Sequence, residues 1–336
     1  MICKMEHLHD VVTDYDRYAL MRGYVFREGF VFTSGSQANV FDAILIKNPK
    51  DCTGIGYDRL VASDRTLEEH IAFINQHKLE YADILTEDLE FIAQCPTLKY
   101  LTIHPSRSAP DGFDYSPLYR MPEIRKLRCS CKEYGPKFTK STSIDLSKVP
   151  GLRDIGISSG RYLNYDKVPG LEVMDMFENK KHRDLHGLCA PTLKELVMSQ
   201  CSIKTLEGVA EYHNLQSLHL YYLRSLSDIS ALASAGDTLR ALTIQNCPKV
   251  TDFSCLYDLT NLEHLNLEGR NVLPSLNFLK GMKKLKTFVF SMEVADRDIR
   301  PCLDVPYAHM SNRKRDYNLT DRDLPKCHLT EPFRLK

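Results

Sequence analysis

The chain lacks an excess of charge of either sign: its 336 residues carry 44 Lys and Arg against 44 Asp and Glu. A formal net charge of zero argues against a nucleic-acid platform, because phosphates demand a basic surface. Basic clusters at Lys180-Lys181-His182-Arg183 and Arg313-Lys314-Arg315 read as solvated loops. Long apolar runs are missing as well, none approaching the ~18 residues of a membrane span. The N-terminus, Met1-Ile2-Cys3-Lys4-Met5-Glu6-His7, has no charged segment followed by an apolar one, so no secretory signal is expected. The 11 cysteines are an odd count without paired spacing, which points to reduced thiols and a cytoplasmic location. In that setting the Asn318-Leu319-Thr320 sequon has no glycosylation machinery to meet.

Catalytic patterns are also incomplete. His182-Arg183-Asp184-Leu185 matches the start of a kinase catalytic loop, yet Cys189 stands where a magnesium-binding Asn is required. Cys129-Ser130-Cys131 has no second Cys or His pair at zinc spacing, and Gly54-Ile55-Gly56 is too short to cradle a phosphate. No catalytic residue, metal ligand or cofactor is therefore expected.

What the chain does have is repetition. A leucine-like residue followed at +3 and +5 by two more apolar residues recurs nine times, mostly at a period near 22–24. The starts are Leu98, Ile124, Leu152, Leu171, Leu193, Leu215, Leu239, Leu262 and Leu285. A 3,2 step of this kind predicts a short strand with alternating faces. The other half of each repeat spaces its apolar residues by three, as in Val250, Phe253, Leu256 and Leu259. That spacing predicts a 3₁₀ turn or extended run rather than a full α-helix. Pro96, Pro122, Pro150, Pro169 and Pro191 each precede a start by two residues and close the preceding turn. Ser227-Asp228-Ile229-Ser230 and Thr251-Asp252-Phe253-Ser254 supply short polar side chains that cap the turn. At +8, Asn179, Cys201 and Cys247 are expected to point inward, whereas Leu223, Arg270 and Glu293 interrupt that ladder.

On these residues the chain resembles the leucine-rich-repeat family, LxxLxLxx(N/C)xIxxLxxL, over roughly residues 79–300, with residues 193–214 matching most closely. The short-repeat form resembles that of bacterial internalins and of the leucine-rich-repeat regulatory subunit of protein phosphatase 1. The resemblance implies an α/β solenoid, a horseshoe of about nine to ten repeats with a parallel concave sheet and a 3₁₀ or extended convex side. Spacings of 26 and 28 in the early repeats imply inserts near 106–118 and 132–145.

Residues 1–78 are expected to form a small α/β cap, 79–290 the solenoid, and 291–336 a C-terminal cap and tail. In the first, Tyr24-Val25-Phe26 and Phe30-Val31-Phe32 flank a turn at Arg27-Glu28-Gly29. Phe41 to Ile46 reads as a strand, and Thr66 with Glu69 opens a helix running to about His77. A degenerate first repeat follows at Leu79, Ala82 and Ile84.

Side chains at +2, +4 and +6 of each repeat face away from the core. In repeats four to eight these positions include Asp175, Phe177, Glu195, Val197, His219, Tyr221, Thr243, His264, Asn266 and Glu268. Exposed aromatic anchors inside a polar rim are the composition of a protein-binding surface. His219 and His264 stand ~10 Å apart at strand spacing, too far to share a zinc ion. The expected function is a non-catalytic, monomeric interaction module or adaptor/regulator that binds a protein partner on this face, without nucleic acid or membrane. The alternative is an enzyme or ligand-binding regulator whose site lies in residues 1–78, with the repeats as a targeting arm.

Overall fold

The computed structural model describes residues 26–27, 30–34, 41–46, 67–78, 80–105, 112–129, 143–158, 162–188, 192–312 and 316–327. Two compact units divide the chain, Met1–Asn164 and Tyr165–Lys336.

In the first unit, β1 (Phe26–Arg27), β2 (Phe30–Ser34) and β3 (Phe41–Ile46) pair antiparallel. Arg27 faces Phe30 and Phe26 faces Val31, so Arg27, expected in the turn, belongs to the strand, while Glu28-Gly29 lie outside the described residues. Helix α1 (Leu67–His77) then leads to β4 (Tyr81–Thr86), which lies parallel to β3. A helix-bearing crossover of this kind joins parallel neighbours. Ile74 is fully buried, and Asn75 Nδ2 donates to the Gln94 carbonyl at 2.9 Å, tying the helix to the next turn.

From β4 onward the strands are parallel: β5 (Tyr100–Pro105), β6 (Lys126–Cys129) and, after the short β7 (Ile144–Asp145), β8 (Asp154–Ser158). Ala82, Leu101, Leu127 and Ile155 stand side by side, as the repeat register requires. Strand β7 pairs with β9 (Tyr162–Leu163) in a separate two-stranded ladder. Turns of 3₁₀ helix at Ile92–Gln94, Ser116–Arg120 and Leu146–Lys148 return the chain. The proposed inserts lie largely outside the described residues, as do Gly54-Ile55-Gly56, Cys131 and Arg313-Lys314-Arg315.

The second unit contains β10 (Val173–Phe177), β11 (Glu195–Ser199), β12 (Ser217–Tyr221), β13 (Ala241–Gln245), β14 (His264–Glu268), β15 (Val272–Leu273), β16 (Thr287–Phe290), β17 (Glu293–Val294) and β18 (Tyr307–Met310). Seven of these form one sequential parallel ladder, β10-β11-β12-β13-β14-β16-β18. Its core column runs Met174, Leu196, Leu218, Leu242, Leu265, Phe288 and Ala308. Every residue of this column is buried, as is the companion column Met198, Leu220, Ile244, Leu267 and Phe290. The return segments are 3₁₀ turns, among them Val209–Glu211, Ser230–Ala235, Ser254–Asp258 and Asn277–Gly281. This is a leucine-rich-repeat solenoid, with the strand phase that the 3,2 spacing demands.

Caps and bends follow the expected chemistry. Asp228 Oδ1 and Asp252 Oδ1 accept from the backbone N–H groups of Ser230 and Ser254 at 2.9 and 2.8 Å. Asn179 Oδ1 accepts from the Lys181 and His182 N–H groups, and the Cys201 thiol donates to the Met176 carbonyl at 3.4 Å. At +7 the backbone turns left-handed at Glu178, Gln200, Tyr222 and Asn246.

Two features depart from expectation. The inward ladder does not lapse in the eighth repeat: Gly269 (φ 142°) lets the chain run one residue longer, and Asn271 takes the role assigned to +8. Its Nδ2 donates to the Cys247 and Val250 carbonyls at 2.9 and 2.8 Å. Strand pairing also continues past Phe290, since β18 adds to β16 with Ala308 opposite Phe288. Alanine in that column hides the repeat, because the leucine-like spacing is lost while the packing position is kept. Residues 316–327 then close the last coil: the Tyr317 hydroxyl accepts from Val294 N at 3.0 Å, and Asn318 Oδ1 from Ile299 N at 3.0 Å. The Asn318 sequon amide is thus a cap, and residues 328–336, the expected tail, lie outside the described residues. The kinase-like tetrapeptide is loop structure: Leu185 is fully buried, and the Arg183 carbonyl accepts from Lys204 N at 2.7 Å.

Leu218→Ala will lower unfolding free energy by about 2–5 kcal/mol in a denaturant titration, since it opens a void between Leu196 and Leu242. Asn271→Ala will cost about 1–3 kcal/mol by stranding two buried carbonyls. Thiol reactivity gives a second check. Burial pushes Cys201 and Cys247 up to about 11 and Cys255 up to about 12, whereas Cys327 is exposed. Among these, iodoacetamide at pH 8 will label Cys327 in the native protein and the other three only after unfolding, as peptide mapping will read.

Candidate functional site

The outward positions of β10–β14 carry the residues singled out from the sequence. Parallel, in-register pairing places Asp175, Val197, His219, Thr243 and Asn266 in one row across five strands. Phe177, Ser199, Tyr221, Gln245 and Glu268 form the next row, and Glu195 and His264 belong to a third.

Two expectations about this face need correction. Its aromatic and histidine side chains are half-buried rather than open, because strands ~4.8 Å apart force neighbouring side chains against one another. Thr243 is buried outright at 7% exposure, and Ser217 and Ala241 are buried with it. Small residues on β12 and β13 form a floor, and their larger neighbours lean over them.

His219 is the centre of this arrangement. Its Nε2 shares a hydrogen bond with Ser217 Oγ at 2.7 Å, and its Nδ1 one with Thr243 Oγ1 at 2.9 Å. Both ring nitrogens are held, so the imidazole has one orientation. The Tyr221 ring stacks on it with centroids 6.2 Å apart and planes within 9°. Thr243 also bonds the Tyr221 side chain. Burial lowers the pKa of His219 and raises that of Tyr221, so both are neutral at pH 7.

The Ser217–His219 contact has the spacing of a nucleophile–base pair, but its surroundings do not suit catalysis. Ser217 is fully buried, beyond reach of a substrate. The third partner, Thr243, is a neutral hydroxyl that cannot balance an imidazolium as a carboxylate would. The trio fixes geometry.

Two repeats on, His264 Nδ1 shares a hydrogen bond with Thr287 Oγ1 at 2.9 Å, and burial again lowers its pKa. Asn266 Nδ2 donates to Glu268 Oε1 at 2.7 Å, and Gln245 Nε2 to Glu268 Oε2 at 3.5 Å. Two neutral amides thereby orient the Glu268 carboxylate without neutralising it. Among the described residues, no group of three His, Cys, Asp or Glu side chains has metal-holding geometry. Nor is any described helix long and apolar enough to cross a membrane.

The first unit contains a separate depression of about 400 Å³, lined by Lys99, Tyr100, Glu123, Arg125, Lys126, Arg153 and Asp154. Its charges are mostly matched: Lys99 pairs with Glu80 at 2.5 Å, Arg125 with Glu123 at 3.0 Å and Lys126 with Asp154 at 2.9 Å. Sequence reasoning missed it because it gathers the +1 and +2 residues of three coils with one turn residue, Glu123.

No protein-family model and no curated protein matches the chain, while solved structures that align with it include two proteins of one organism and one of another. An internalin, InlF, of Listeria monocytogenes aligns at 15% identity and a TM-score of 0.48, covering 83% of this chain and 92% of its own. The functional domain of InlJ from the same organism aligns at 16% identity and 0.43, covering 80% and 74%. A leucine-rich-repeat protein of Leptospira interrogans aligns at 11% identity and 0.38, covering 71% and 74%.

Thr243→Val, which keeps the shape but removes the hydroxyl, will cost about 1–3 kcal/mol by leaving His219 Nδ1 without its partner. NMR of the imidazole will show ring-nitrogen exchange broadening in the variant and one fixed tautomer in the parent.

Proposed function

We propose that the chain is a non-catalytic interaction module that presents the outward face of β10–β14 to a protein partner. The observation that carries this reading is the His219–Tyr221 pair, stacked and pinned by Ser217 and Thr243 before any partner arrives. Ordering side chains at an interface costs about 0.5–1.5 kcal/mol each, and a pre-set aromatic pair avoids much of that cost. Phe177 and Val197 extend the apolar surface on neighbouring strands, while Asp175, Glu195 and Glu268 supply its polar border. Aromatic centres with polar rims are the usual anatomy of protein interfaces. The buried, protonated thiols suit a reducing compartment, and the reading places the partner there too.

A photoreactive phenylalanine analogue at Val197 will give a discrete protein adduct in a lysate of the source cells. The same probe at the exposed Tyr257, on a 3₁₀ turn, will not. Tyr221→Ala will weaken the Val197 adduct about tenfold while the protein keeps its circular-dichroism spectrum. Equal adducts from both positions would overturn the reading.

A further inference from the structure

The depression on the first unit holds more positive charge than its carboxylates offset. Lys99 has Glu80 at 2.5 Å, and Arg125 has Glu123 at 3.0 Å. Two further cations share a single partner, since Lys126 Nζ and Arg128 Nη2 lie 2.9 and 2.6 Å from the two oxygens of Asp154. Arg153 is exposed, donates from Nη1 to the Leu152 carbonyl at 3.1 Å, and pairs with no carboxylate among the described residues. Five cations thus meet three carboxylates at this place, although the whole chain is balanced.

Two glycines fix where the arginines lie. At Gly151 an added Cβ would stand 2.2 Å from Arg125 Nη1 and 2.4 Å from the Pro122 carbonyl oxygen. The space it leaves lets Arg125 Nη1 donate to the Gly151 carbonyl at 3.2 Å. Gly156 opens the same room for Arg128, whose Cδ would be 2.1 Å from an added Cβ. Both arginines therefore lie across the neighbouring coil, half-buried, instead of extending into water. Side chains ordered in advance lose less freedom when a ligand arrives. Tyr100, also half-buried, completes the lining with an aromatic ring. The volume of about 400 Å³ exceeds what a bare tetrahedral anion fills, which leaves room for an organic group beside that ring.

We propose that this depression binds a phosphate monoester dianion. Arg153 and Lys126 meet the phosphate oxygens, Lys99 and Arg125 raise the local potential, and Tyr100 lies beside the organic group of the ester. A dianion answers an excess of two positive charges, and a guanidinium offers phosphate oxygens paired N–H donors. A sulfate ester or a carboxylate carries one charge and gains less from the same field. Small phosphate esters and phosphorylated side chains share this chemistry. The site is built on strands other than β10–β14 and does not rest on the interface proposed above.

The test is an isothermal titration of the full chain at pH 8 and low ionic strength with phenyl phosphate, phenyl sulfate and benzoate. Phenyl phosphate, doubly charged there, is expected to bind about tenfold tighter than the two monoanions, with the advantage shrinking as salt is raised. Arg153→Gln, at an exposed side chain, is expected to weaken phenyl phosphate about tenfold. Glu123→Gln, which frees Arg125 of its exposed partner, is expected to tighten it severalfold. Lys283→Gln, at an exposed lysine of the second unit, is expected to change nothing. A serine-phosphorylated Gly-Ala-Ser-Ala-Gly peptide and glycerol phosphate separate the two sources: the tighter binder identifies the carrier, and either supports the site. Absence of phenyl phosphate binding overturns the proposal, as do equal affinities for phosphate and sulfate esters. An affinity unchanged in Arg153→Gln, lowered in Glu123→Gln, or lowered as much in Lys283→Gln as in Arg153→Gln overturns it too.

Discussion

The structure depends on one steric and hydrogen-bonding constraint, the in-register parallel ladder. Each strand contributes two apolar side chains to the core at +3 and +5, and its backbone bonds the coils on either side. A coil cannot bury those two side chains alone. Its neighbours supply the other walls, so stability is shared between adjacent repeats. A slip of one residue would turn every core side chain toward solvent, and this penalty holds Leu196, Leu218, Leu242 and Leu265 in one column.

The bends repeat because the ladder repeats. A left-handed residue at +7 ends each of β10 to β13, and an inward side chain at +8 bonds the bend's backbone: Asn179 Oδ1 accepts from N–H groups, and the Cys201 and Cys247 thiols donate to carbonyls. The eighth repeat shows how tolerant this device is. Gly269 and Asn271 achieve the same satisfaction with one extra residue, because what is conserved physically is the donor's position rather than its number in the repeat. The polar layer outside the core is built on the same frame. Ser217 and Thr243 are small enough to sit under His219, and their hydroxyls fix an imidazole that would otherwise rotate.

The proposed function draws on the face opposite the leucine column. Its strand alternation sorts small, aromatic and polar residues into rows, and no outward position of β10 to β14 is Lys or Arg.

Much of this was legible from residue spacing alone. The 3,2 step located the strands to the residue from β10 to β14, and the three-residue spacing marked the 3₁₀ returns. Both are local periodicities, and local geometry writes them directly into sequence. The helix opening near Thr66 and the strand from Phe41 were readable for the same reason. What tertiary structure decided was whatever depends on neighbouring coils. Ala308 packs as a core residue only because Phe288 stands beside it, and Asn271 becomes a bend donor only through the extra residue at Gly269. Thr243 looked exposed by alternation, yet His219 from the adjacent strand covers it. Alternation determines which way a side chain points; the side chains one coil away, distant in sequence, determine whether water still reaches it.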